Sequence, residues 1–294
     1  MNVDLLMNAL PAILFMVGLG ALLAAVIAMA VRKLHVHEDP RIDDVEEMLP
    51  AANCGACGYP GCRAFAEAVV KGEAPPSKCT VNAPEENQEI ADFLGVSLGE
   101  QEKIVARLAC AGGTHVARMR ARYAGLKTCA AAVMAGGGGK ACAWGCLGLA
   151  DCEVSCTFDA IYMNEFGLPV VIEDKCTACN DCVVACPLDL FSLHPVSHKL
   201  WVACKNLEEG EQALAECEVA CNACGRCAVD APEGLIEIKD NLAVVDYSKN
   251  ERATPIPIQR CPTGAIVWWE NGKAIKGAEA KKIVRKTPLP IEAE

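Results

Sequence analysis

Cys54-Gly-Ala-Cys57 and the run Cys176-x2-Cys179-x2-Cys182-x3-Cys186-Pro187 space their thiols as metal and iron–sulfur ligands are spaced. They belong to a set of 20 cysteines, so thiol chemistry dominates the chain. A disulfide framework is the other common use of so many thiols. It serves short secreted chains that cannot build a core, whereas 294 residues with 52% hydrophobic content can. The pattern therefore fits a reducing compartment. In Cys54-x2-Cys57-x4-Cys62-x16-Cys79, three thiols sit on a tight loop whose turns are eased by Gly55, Gly58 and Gly61, and a fourth lies far along the chain. Four-thiolate zinc is the alternative occupant. Zinc ligands usually come as paired knuckles, so this arrangement suits a [4Fe–4S] cubane better.

The elements that must carry these thiols begin at a membrane. Leu5 to Val31 holds 27 residues without a charge, more than the roughly 20 that cross a hydrocarbon core, which predicts one transmembrane helix. A cleaved leader has Ala28-Met29-Ala30 in its favour, but Asp4, the lack of a preceding basic residue and the length of the run oppose it. Arg32 and Lys33, with His35 and His37 behind them, predict a single pass of the cytoplasmic (inner) membrane with the N-terminus outside and the thiol-rich body in the cytoplasm. Asp39-Pro40 followed by Ile42, Val45, Met48 and Leu49 predicts a capped amphipathic helix ending before Pro50, and Arg63 to Lys71 a second helix. Leu98 to Leu108 reads as helix running into strand, and Gly136 to Gly139 as a flexible joint. Val170-Val171-Ile172 and Ala243-Val244-Val245 read as short strands. Cys110 and Cys129 have no close sequence partners and read as small buried residues, and Cys204 in Leu200-Trp-Val-Ala-Cys204 as strand core. Lys103, Arg107, Arg118, Arg120, Arg122 and Lys127 make a basic stretch, either a solvated face or a docking patch for an acidic carrier. The net charge of −11 speaks against a nucleic-acid partner.

Four segments share a closing phrase: Cys156-Thr-Phe-Asp-Ala-Ile161, Cys186-Pro-Leu-Asp-Leu-Phe191, Ala231-Pro-Glu-Gly-Leu-Ile236 and Cys261-Pro-Thr-Gly-Ala-Ile266. A shift of 75 residues lays Cys142, Cys146, Cys152 and Cys186 on Cys217, Cys221, Cys227 and Cys261, the mark of a duplicated module. The unit resembles the bacterial two-cluster ferredoxin, in which each cysteine run gives three ligands to one cluster and a fourth to the other. That resemblance implies one cluster on Cys156, Cys176, Cys179 and Cys182, and another on Cys142, Cys146, Cys152 and Cys186. The second set departs from the family pattern, since Leu149 stands where a middle cysteine belongs and Cys142 must substitute from upstream. In the second copy Ala231, Glu251, Thr254 and Pro257 replace all four ligands of one cluster. The other cluster keeps Cys261, with Cys217, Cys221, Cys224 and Cys227 competing for three places. Even spacing favours Cys221, Cys224 and Cys227; the 75-residue register favours Cys217 in place of Cys224. Four cubanes result, each adding about two negative charges when oxidised.

The predicted fold is an α+β multidomain chain: anchor 1–34, helical 4Fe-4S domain 35–95, linker domain 96–139, two-cluster ferredoxin-like domain 140–200, degenerate one-cluster copy 201–270 and tail 271–294. An N-terminal anchor, then the Cys54 to Cys79 domain, then ferredoxin modules, resembles the B-subunit family of the Rnf complex, a membrane-bound ferredoxin:NAD oxidoreductase. The resemblance covers nearly the whole chain. It implies an electron-transfer subunit of an ion-translocating enzyme. Such a subunit exchanges electrons with soluble ferredoxin and passes them towards the other subunits, while the complex moves Na⁺ or H⁺. The chain itself shows no catalytic residues, no ionisable group inside the apolar span, and no Gly-rich dinucleotide fingerprint, so NAD and flavin are expected on other subunits. The alternatives are a reductase that keeps a redox-sensing transcription factor reduced, and a redox-silent zinc scaffold.

Overall fold

A computed structural model describes residues 3–34, 39–99 and 102–291; His35, His37 and Glu294 lie outside them. Helix α1 (Val3–Leu34) ends on Arg32 and Lys33. Its stretch Ile13–Lys33 is long and apolar enough to cross a membrane, and none of it is buried against the rest of the chain. A helix that exposes apolar side chains on every face has no partner in water, which agrees with a lipid-embedded anchor.

The first soluble unit is built from α2 (Arg41–Met48), α3 (Cys62–Val70), a 3₁₀ turn (Pro76–Lys78) and α4 (Pro84–Leu94). The Asp39 carboxylate accepts the Arg41 backbone N–H at 3.0 Å, holding the start of α2. Ile42, Val45 and Leu49 face Phe65, Ala66, Val69 and Ile90, all buried, so the helical spacing of apolar residues becomes a three-helix core. Gly95, left-handed at φ 68°, ends α4, and residues 96–99 are irregular, so the helix expected from Leu98 does not form.

The rest runs β1 (Ile104–Leu108), α5 (Cys129–Met134), α6 (Asp151–Val154), β2 (Ile161–Met163), β3 (Pro169–Val171), α7 (Asp181–Ala185), β4 (Phe191–Pro195), β5 (Leu200–Val202), α8 (Gly210–Glu216), α9 (Arg226–Asp230), β6 (Ile236–Lys239), β7 (Leu242–Val245), a 3₁₀ segment (Tyr247–Arg252), β8 (Ile266–Glu270) and β9 (Lys273–Ile275). β2–β3 and β6–β7 are antiparallel hairpins. β1 pairs antiparallel with β4, and β5 with β8, which β9 extends. In these two ladders Leu108 faces Phe191 and Val202 faces Ile266. One residue further on, Ala109 N–H donates to the Leu190 carbonyl at 2.8 Å and Ala203 N–H to the Ala265 carbonyl at 2.7 Å. Cys110 and Cys204 therefore leave their strands in the same way. Left-handed residues punctuate both halves at matching places: Gly148, Ala178 and Ala223; Ala150, Asn180 and Gly225; Asp159, Asp189, Gly234 and Gly264. An alanine at positive φ is strained unless its surroundings hold it, so these turns mark where the backbone must wrap around the thiols.

Two further sequence expectations are corrected by the fold. Gly136 to Gly139 is a fixed turn rather than a flexible joint: all four are left-handed, and Gly137 and Gly138 donate to the Ala132 carbonyl. A Cβ on Gly139 would lie 2.2 Å from the Ala121 carbonyl oxygen, so the turn is packed as well as bent. The basic stretch is also not one continuous face. Arg107 is 3% exposed, ion-paired with Glu173 and stacked over Trp269 at 4.3 Å, while Arg120 pairs with Glu216 at 3.0 Å.

Candidate iron–sulfur sites

Cys54, Cys57, Cys62 and Cys79 line a hollow of about 310 Å³ walled by Leu49, Phe65 and Val81. The Asn53 side-chain oxygen accepts the Cys62 N–H at 2.8 Å, and Gly61 allows that approach, since a Cβ there would sit 2.8 Å from the same oxygen. Burial pushes the Cys79 thiol up, the N–H groups of Asn82 and Val81 pull it down, and Cys57 and Cys62 raise it again. That mutual repulsion is what thiolates aimed at one point experience before a cationic centre joins them.

Cys221, Cys224, Cys227 and Cys261 line a second hollow, of about 340 Å³. Burial drives Cys227 up to about 12, and Cys221, Cys261 and Cys224 drive it the same way. The structure thus brings Cys224 into this set, on its exposed edge, and places Cys217 elsewhere. Cys156, Cys176, Cys179 and Cys182 form a third group: burial raises Cys182 to about 12, helped by Cys176, Cys179 and Cys156. The Ala106 N–H donates to Cys176 Sγ and the Ala160 N–H to Cys156 Sγ, each at 3.4 Å. Thr80 Oγ donates to the Thr177 carbonyl at 2.5 Å, so the Cys79 and Cys176 loops touch.

The fourth predicted set is brought together only in part. Cys152 is raised to about 12 by burial and then by Cys129 and Cys186, and Cys146 to about 12 by burial with Cys110 and Cys152 among its neighbours. The Leu190 N–H donates to Cys186 Sγ at 3.4 Å. Cys142 does not line up with this group. It lines a hollow of about 330 Å³ together with Cys110, Cys204 and Cys217, bordered by Lys140 and Asn206. Cys110, Cys129 and Cys204 are thus not isolated core thiols, and Cys204 lies beyond the end of β5 rather than within it. The 75-residue shift lays Cys129 on Cys204, but in the fold Cys204 matches Cys110, its Sγ accepting the Cys221 N–H as Cys110 Sγ accepts the Cys146 N–H, so spacing alone carried no usable signal for these thiols.

Among the described residues no three His, Cys, Asp or Glu side chains converge closely enough for a single metal ion. Four thiols bordering one hollow at Cys54–Cys79 and at Cys221–Cys261, and backbone N–H groups donating to Cys176 and Cys156 sulfur, suit a cubane rather than a lone zinc.

Family models match this reading at two places in the body, "Putative Fe-S cluster" over residues 49–81 and "4Fe-4S binding domain" over residues 169–191. The chain is 38% identical to the B subunit of the Na⁺-translocating ferredoxin:NAD⁺ oxidoreductase complex of Acetobacterium woodii, covering 87% of this chain and 78% of that one. It is 36% identical to the B subunit of the ion-translocating oxidoreductase complex of Methanosarcina acetivorans, covering 85% and 94%. This chain belongs to the Rnf B-subunit family. A third relative, the B subunit of the proton-translocating ferredoxin:NAD⁺ oxidoreductase complex of Clostridium ljungdahlii, is 38% identical over 84% of this chain and 88% of its own length. As an Rnf B subunit, the chain is an iron–sulfur electron-transfer component of an ion-translocating oxidoreductase, and these relatives do not favour the regulatory-reductase alternative.

Proposed function

We propose that this Rnf B subunit takes electrons from soluble ferredoxin in the cytoplasm and delivers them to the other subunits through at least four [4Fe–4S] clusters. Bound there, such a cluster supplies one-electron storage at a potential set by its surroundings. The observation that supports this most is the set of four-thiol groups, two of them around a common hollow and the third with sulfurs that accept backbone N–H bonds. Cys54, Cys57, Cys62 and Cys79 hold one cluster; Cys156, Cys176, Cys179 and Cys182 a second; Cys221, Cys224, Cys227 and Cys261 a third. Cys146, Cys152 and Cys186 give three ligands to a fourth. The modules are duplicated, the second having lost one site, a reading supported by the matched left-handed positions. Arg32 and Lys33 at the end of α1 favour a cytoplasmic body, and the contact between the Cys79 and Cys176 loops joins the membrane-proximal domain to the modules.

Ferredoxin is an acidic carrier, and the exposed residues of the basic stretch, Lys103, Arg118, Arg120, Arg122 and Lys127, are the landing surface. Stopped-flow mixing of the anaerobic full-length chain in detergent with reduced ferredoxin tests this. Rapid bleaching of the visible absorption is expected. Its rate should fall about tenfold between low and high salt, and further with Arg122→Glu and Lys127→Glu. No bleaching removes the ferredoxin reading, and bleaching insensitive to salt removes the landing surface.

A further inference from the structure

We propose that Cys110, Cys142, Cys204 and Cys217 hold a fifth [4Fe–4S] cluster between the two ferredoxin-like modules, and that Cys129 takes the place that sequence spacing gives to Cys142 beside Cys146, Cys152 and Cys186. The proposal builds on the cluster reading above and adds a centre to it.

Three observations carry it. The first is enclosure: these four thiols border one hollow, as the thiols of Cys54–Cys79 and of Cys221–Cys261 each border theirs. The second is symmetry. Cys110 and Cys204 each stand two residues past equivalent strand positions, Leu108 and Val202. Cys110 Sγ accepts the N–H of Cys146, and Cys204 Sγ accepts the N–H of Cys221, both at 3.4 Å. Cys142 and Cys217 each precede those same residues by four. The two modules thus contribute one equivalent pair of thiols each, and the Ala111 N–H to Ala203 carbonyl bond at 3.0 Å ties the contributing strands together. The third is the donor set. Cys110 Sγ also accepts the Gly112 N–H at 3.4 Å, and Cys142 Sγ the buried Asn206 side-chain amide at 3.5 Å. Lys140 Nζ, held by the carbonyls of Gly112 and Cys146 at 2.6 and 2.5 Å, places a positive charge at the edge of what four thiolates and a cubane would make a dianion.

Cys129 fits the vacated role by its contacts. The backbone N–H groups of Cys129 and Ala130 donate to the Asp151 carboxylate at 2.8 and 3.1 Å, which ties the start of α5 to the start of α6 and sets Cys129 beside Cys152. The second module has Cys224 in that role and leaves its Cys204 for the inter-module site. With this partition all 20 cysteines fall into five sets of four. Consecutive sets are linked by short steps, Cys152 to Cys156, Cys142 to Cys146 and Cys217 to Cys221, each four residues and so at most about 14 Å. Without the fifth set the series would be interrupted between the modules.

The experiment is iron and acid-labile sulfide analysis, with EPR spin counting after full reduction, on the anaerobically purified full-length chain. About 20 irons per chain are expected; about 16 overturns the fifth cluster, and none overturns the cluster reading as a whole. Cys110→Ser and Cys204→Ser should each lose about one fifth of the iron and of the spins, and the double variant no more than either alone. Cys129→Ser should remove a different fifth, matching Cys186→Ser in its EPR signature. Full iron in Cys110→Ser or Cys204→Ser overturns the site. The wild-type count decides even if a variant misfolds.

Discussion

The two halves proposed as duplicated modules share their hairpins, their left-handed turns and their terminal strands, yet they use one equivalent region in opposite ways. In the first module the loop from Cys176 to Cys182 carries three thiols into α7, facing Cys156. In the second, the counterpart loop is the 3₁₀ segment Tyr247–Arg252 followed by Pro255 and Pro257, and Ala231 and Ala253 pack on the module core. Tyr247 donates its hydroxyl to the Leu200 carbonyl at 2.9 Å and stacks flat on His198 of the first module at 4.2 Å between ring centres. A loop that no longer needs to present sulfur can bury rings instead. On the proposed duplication, the region opposite the Cys176–Cys182 loop serves as part of the joint that fixes one half against the other.

The largest test of this contrast is an exchange of one residue in each copy. Cys182→Ser should remove a whole cluster's iron and lower the thermal midpoint by several degrees, because three half-buried thiolates lose their common centre. Pro257→Ser, at the corresponding place 75 residues later, should leave the iron content unchanged and shift the midpoint by a degree or two at most. Iron loss in the Pro257 variant would mean that the second copy still uses this loop for metal.

Next in size is the buried ion pair of Arg107, whose guanidinium also stacks across the joint on Trp269. Arg107 in β1 is sealed at 3% exposure between Glu173 of the first module and the Trp269 ring of the second. Removing one partner of a buried pair leaves the other charge unpaired, so Arg107→Ala should destabilise by about 3 kcal/mol. Arg107→Met keeps an apolar stem over Trp269 but still strands the carboxylate, so it should recover only part of that loss. Arg107→Met/Glu173→Gln removes both charges and should recover more. Urea midpoints of the three variants check this. Equal midpoints for Arg107→Met with and without Glu173→Gln would assign the effect to packing on Trp269 alone.

Much of this architecture was legible in the sequence because its determinants are local. The anchor follows from the uncharged run Leu5 to Val31, α2 from the spacing of Ile42 and Val45, and the Cys54–Cys79 and Cys176–Cys182 groups from thiols a few residues apart. What was not legible depends on chain segments that meet only in the fold. Cys110 reaches Cys204 because β1 pairs with β4, 83 residues away in the Leu108–Phe191 rung, and β5 with β8. Arg107 looked like part of a solvated basic face because its partners, Glu173 and Trp269, come from two other elements. Glycine runs read as loose linkers because loose chain and a packed left-handed turn share one composition; the close approach of Gly139 to Ala121 distinguishes them only in three dimensions.

The smallest predicted effect concerns protons at the same joint. His194 sits between Ser192, His198, Trp201 and Tyr247, with its Nδ1 at 3.0 Å from that of His198. Burial, then the His198 and Arg107 charges, holds it down to about 4, against an ordinary value of 6.5. His198 is lowered too, chiefly by burial, with Glu102 opposing and Arg107 assisting. A folded value below the unfolded one means that the unfolded chain takes up protons the folded chain refuses. The contribution is therefore complete above pH 6.5 and erodes as pH falls from there towards 4, so the joint weakens under acid while the neutral range is flat. His194→Gln cannot be protonated and keeps a hydrogen-bonding side chain. It should narrow the gap between urea midpoints measured at pH 7 and pH 5 without moving the pH 7 value by more than a few tenths molar. An unchanged gap would assign the acid sensitivity to the thiol sites instead, leaving the ring stack as packing without a proton-dependent part.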